Sequence, residues 1–95
     1  LDGPVVAMVA EVAAALALDE GDPGTAGELL GVAAAQRGAT DVGNPEVLGA
    51  HDRVRAALGA AADEAVRHGR ELPRAEGLAA LIAYVGEPVG QVRRW

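Results

Sequence analysis

His51 and His68 are the side chains best placed for chemistry near neutral pH, because imidazole is the one unperturbed side chain that changes charge there. With Glu64 or Asp52 as a third ligand they offer the donor types of a divalent metal site. Their settings argue against it. His51 lies in an apolar stripe and His68 on a charged face of a different segment, so the two are expected to point to different places. His51-Asp52 would also supply a base and its orienting acid for a nucleophile. The chain has no serine and no cysteine, however, and its threonines, Thr25 and Thr40, fall at a helix start and in a loop. Glu11, inside a long apolar run, has the setting of a carboxyl with a raised pKa. A residue so placed more often reaches solvent or pairs with an arginine of a neighbouring helix. Trp95, behind Arg93 and Arg94, has the composition of a docking anchor with a charged rim; the plainer reading is a loose terminus. No set of residues names a reaction. The chain is expected to be no enzyme and to need neither metal nor cofactor.

The composition says what kind of scaffold carries these groups. Ninety-five residues make one small domain or a piece of a larger one. Hydrophobic residues are 51% of the chain, yet there is one Trp, one Tyr and no Phe, so the core must come from small side chains in close contact. Alanine's intrinsic preference points the same way, to an all-α fold. The net charge of −6 disfavours direct nucleic-acid binding by this segment, and no helix collects its arginines on one face. Residues 5–18 are apolar except for Glu11, which is shorter than the roughly 20 residues of a membrane span and interrupted by charge. No basic stretch precedes them, so neither a membrane segment nor a signal peptide is expected, and a cytoplasmic location is.

Five helices are predicted. The first covers residues 4–20, with Val5, Val9, Val12 and Leu16 as its main inward stripe and Ala7, Ala14 and Leu18 on the far side next to Glu11. A helix apolar on nearly all sides expects neighbours on more than one side. The chain is therefore expected to be a fragment of a longer helical array, with Ala7, Glu11 and Leu18 on a contact surface for the preceding repeat or for a second copy. The second helix spans residues 23–37. Asp22 can cap it with Pro23 in its first turn, or Thr25 and Glu28 can form a capping box slightly later. Asn44-Pro45 repeats the cap-plus-proline start for a third helix over 45–58, whose face is Val47, His51, Val54 and Leu58. Gly59 breaks it from a fourth over 60–69, with Ala62, Ala65 and Val66 inward. A fifth covers 74–85 through Leu78, Leu81, Ile82 and Val85, and residues 86–95 read as a tail.

The tightest packing signal is the spacing of Gly21, Ala26, Leu30 and Ala33, with Ala14 seven residues before the glycine. Small residues at 26 and 33 let two antiparallel helices approach closely while Leu30 fills the gap. This spacing looks like a tetratricopeptide repeat. More of the chain joins in. Gly21-Asp-Pro-x-x-Ala-x-x-Leu-Leu-Gly-x-Ala-x-x-x-Arg37 is followed by His51-Asp-Arg, Arg55-Ala-Ala-Leu-Gly59, Gly69-Arg-x-Leu72 and Glu76. That order resembles the C-terminal helical region of large actinobacterial transcriptional regulators, the SARP-type activators and the large ATP-binding LuxR-type regulators. The resemblance covers about residues 14–85 and departs from the family pattern at Ala62, Asp63 and Val66, where aromatic residues are usual. It implies a repeat module over residues 1–85 for protein contacts or effector sensing, with other domains of the same regulator or a homo-oligomer as partner, and no catalytic residues. A free-standing adaptor that binds a peptide or dimerises is the alternative.

Overall fold

The computed structural model describes residues 2–92, with side chains as far as residue 86. The described residues form five helices and no strand: α1 (Gly3–Asp19), α2 (Pro23–Arg37), α3 (Pro45–Leu58), α4 (Ala61–Glu71) and α5 (Arg74–Val92). The all-α expectation holds. Three helix ends are written locally in the sequence. At the end of α1, Asp22 N–H donates to Ala17 O at 2.8 Å and Gly21 N–H to Leu18 O at 3.1 Å. This double closure needs a left-handed residue at position 21, and Gly21 supplies it with φ +81°. Asp22 Oδ1 then accepts from Thr25 N at 3.1 Å, so the aspartate cap forms rather than the capping box. Asn44 Oδ1 does the same for Glu46 N at 2.9 Å.

Helix α2 is the axis of the domain. Antiparallel α1 packs on one side of it, the start of α1 at Gly3 lying against Gln36 near the end of α2. Ala26, Leu29, Leu30 and Ala33 of α2 are buried, as are Val6, Ala7, Ala10, Ala13, Ala14 and Ala17 of α1. On another side α4 runs in the same direction as α2. Gly27 lies against Ala65, and Gly31 against Val66, Gly69 and Arg70. The contact is backbone on backbone: a Cβ placed on Gly31 would stand 2.6 Å from the Arg70 amide nitrogen, and one on Gly69 2.8 Å from the Glu28 carbonyl carbon. Two small-xxx-small pairs, Gly27/Gly31 and Ala65/Gly69, thus let these helices approach more closely than side chains normally allow. Val47, Ala50 and Val54 of α3 close one flank. Gly77, Leu81 and part-buried Tyr84 of α5 close another. There the buried Gln36 side chain donates from Nε2 to the Arg74 main-chain O at 3.0 Å, and Arg74 Nη2 donates to the Gln36 main-chain O at 3.2 Å.

Three expectations need correction. The main stripe of α1 is turned outward: Val5, Val9, Val12 and Leu16 are exposed, and Ala7, expected on the open side, is fully buried. Both sides of this helix are apolar, so hydropathy does not choose between them. Side-chain size does, because only the alanine side lets α1 settle against an α2 built of alanine and glycine. Likewise Ile82 and Val85 of α5 are exposed, while Gly77 and Leu81 face inward. Finally, α5 continues to Val92 past Gly86 and Pro88 instead of ending at residue 85. Each residue added to an existing helix contributes a hydrogen bond, Pro88 with its missing N–H excepted, and this offsets the weak propensity of the glycines. α1 and α2 pair antiparallel; α3 does not form a second tight pair with α4, since α4 packs chiefly on α2.

Candidate functional site

The outward turn of α1 puts Val5, Met8, Val9, Val12 and Leu16 on one face, at helical intervals of three and four. Each is between 44% and 59% exposed, which is unusual for five large apolar side chains in succession. No basic residue occurs in α1. Its one mid-helix acid, Glu11, sits at the flank and is held by the Arg37 fork, Nη2 donating to Oε1 at 3.0 Å and Nη1 to Oε2. That hydrogen bond, against the opposing effect of burial, keeps the Arg37 guanidinium above its ordinary pKa. Glu11 is therefore a strut between α1 and α2, and the apolar face beside it carries no unpaired charge. Asn44 and Val47, at the start of α3, form the far wall of a shallow groove of about 360 Å³ shared with Met8 and Val12.

Of the residues expected on a contact surface, Ala7 is in the core, Leu18 is half-buried and Glu11 is paired. Trp95, with Arg93 and Arg94, lies outside the described residues. The packing residues Ala14, Ala26, Leu30 and Ala33 are all buried, and Gly21 makes the turn between α1 and α2. No protein-family model, curated protein or solved structure matches this chain. The functional reading therefore rests on the chemistry of its surfaces. Among the described residues, no helix is long and apolar enough to cross a membrane.

The histidines go separate ways. His68 Nδ1 stands 3.6 Å from Glu28 Oε2, across the α2–α4 contact. His51 sits half-buried on α3, and no group of three His, Asp or Glu gathers around either among the described residues. Thr40 and His51 border the same cleft, but no hydrogen bond joins them. Burial holds the His51 imidazole below its ordinary pKa, helped by Arg55 and Arg70 and opposed by Asp52 and Glu11. The folded chain thus resists a proton that the unfolded chain accepts near 6.5. Stability is expected to fall as pH drops below about 6.5 and to level off once His51 protonates in the folded state. Melting curves between about pH 7 and pH 5 should show this slope in the wild type and a shallower one in His51→Gln. An identical slope in both would exclude His51 as its source.

Proposed function

We propose that this chain is a non-catalytic helical interaction module that receives one amphipathic helix of a protein partner on the outer face of α1. The row of exposed side chains from Val5 to Leu16 carries this reading, since an uncharged apolar stripe at helical spacing matches the stripe of a second helix. Charge selects the occupant. The face belongs to a helix without a basic residue in a chain of net charge −6, so a partner with basic residues flanking its apolar stripe fits, whereas a second copy would set acid against acid. The resemblance to the helical region of large transcriptional regulators supplies a context. The partner helix would belong to another domain of such a regulator, held or released to relay a signal.

Met8 is the only methionine and lies within the face, so a single labelled methyl resonance reports on it. Titration with a Leu/Lys peptide patterned as an amphipathic helix is expected to shift that resonance saturably, and a Leu/Glu counterpart to leave it unmoved. Val9→Asp with Val12→Asp should abolish the shift while changing stability by only about 1 kcal/mol, because both side chains are about half exposed. Nonspecific attraction would instead grow with the added negative charge. An unmoved Met8 methyl would defeat the proposal, and a methyl that moves with protein concentration alone would assign the face to a second copy.

A further inference from the structure

We propose a second site: the cleft between α3 and α4, with His51 at its edge, binds a small molecule that carries an oxyanion on an apolar body. The cleft has a volume of about 540 Å³, within the range of small-molecule pockets. Arg55 of α3 and Arg67 and Arg70 of α4 all border it, and outnumber the two carboxylates there, Asp52 and Asp63. Such a gathering of guanidinium groups is unexpected in a chain of net charge −6. Arg55 is partly committed to Asp52, at 3.1 Å. Arg67 and Arg70 have no ion pair or hydrogen bond of their side chains among the described residues, although Asp63 stands one helical turn before Arg67. Two free forks beside one cavity are the recognition elements of a carboxylate or a phosphate monoester.

Apolar side chains share the lining with these charges. Val54 and Val66 line the cleft, as do the exposed Val42 and Leu48, Val42 72% exposed. Exposed valine and leucine in a cleft with three guanidinium groups against two carboxylates fit a ligand with a hydrocarbon or aromatic body behind its charged head. His51 would add a donor to the oxyanion. Arg55 and Asp52 on α3, Arg70 on α4 and Glu11 on α1 are the charged groups that act on its imidazole. This site is separate from the outer face of α1 and does not depend on the reading of that face.

The chain has two histidines, so its imidazole proton spectrum contains one resonance in the cleft and one, from His68, beside Glu28 as an internal reference. Phenyl phosphate is the probe, with inorganic phosphate and benzyl alcohol as its two halves. Phenyl phosphate is expected to shift His51 saturably, to raise the pH at which it titrates and to leave His68 in place. Inorganic phosphate should bind more weakly, and benzyl alcohol should produce no shift. Arg67→Gln with Arg70→Gln should weaken phenyl phosphate by at least about tenfold with an unchanged circular-dichroism spectrum, since both side chains are exposed. Arg53→Gln, which removes an exposed guanidinium bound to Asp19 outside the cleft, should leave affinity unchanged. The proposal is overturned by any of three results: no saturable His51 shift at millimolar probe, an equal response to benzyl alcohol, or equal weakening by Arg53→Gln.

Discussion

Gly31→Ala is expected to lower the melting temperature by about 10–20 °C, equivalent to about 3 kcal/mol, the reverse of the usual effect of this change inside a helix. Glycine ordinarily costs a helix about 0.5–1 kcal/mol relative to alanine, so the substitution starts with a local gain. The gain is overwhelmed because a methyl group at position 31 overlaps α4. The obstacles are the Val66 carbonyl, the Gly69 carbonyl carbon and the Arg70 amide, all of them backbone that cannot rotate away. The two helices must separate, and every side chain packed around α2 loses contact with them. Gly49→Ala is the matched control. Its Cβ would meet nothing within 4 Å, and it lies within α3, so that variant should gain about 0.5–1 kcal/mol. Thermal unfolding followed at the helical circular-dichroism signal compares the two. Equal melting temperatures for Gly31→Ala and wild type would mean that α2 and α4 do not touch through their backbones.

Leu30→Ala should cost about 3–4 kcal/mol in urea unfolding, and Leu16→Ala less than about 1 kcal/mol. Leu30 is 1% exposed, on an α2 surrounded by alanines. Neighbours that short cannot swing in to fill the space left by a lost isobutyl group, so the cavity persists and its full penalty is felt. Leu16 is 53% exposed and loses little when shortened. The pair tests which way α1 faces, because the stripe read from hydropathy alone would make Leu16 a core residue. A large loss at Leu16 would restore that orientation and remove the exposed face on which the proposed docking depends.

These contrasts mark what could be read before the chain was folded. Helix boundaries at Asp22-Pro23 and Asn44-Pro45 were legible because a cap is a short-range hydrogen bond between a side chain and an amide two or three residues on. Burial of Ala26, Leu30 and Ala33 was legible from their common helical face. The facing of α1 was not, since hydropathy ranks valine above alanine whereas close packing prefers the smaller residue. The same bias hid Gly77 behind Ile82 and Val85 in α5. Gly27-x-x-x-Gly31 and Ala65-x-x-x-Gly69 were visible as spacings, but that they meet is a tertiary fact. The cleft was the least legible feature. Its residues come from the segment after α2, from α3 and from α4, and no local pattern connects Thr40, His51 and Arg70.

The glycines of α2 also shape how the domain comes apart. A peptide with Gly24, Gly27 and Gly31 among fifteen residues has little reason to coil into a helix alone in water. Its order is lent by α1 and α4, which meet their own tightest contacts only when α2 is already regular. Amide protons of these three helices should therefore exchange with solvent through a single shared opening, with no half-assembled species in which one outer helix has left and the central rod survives.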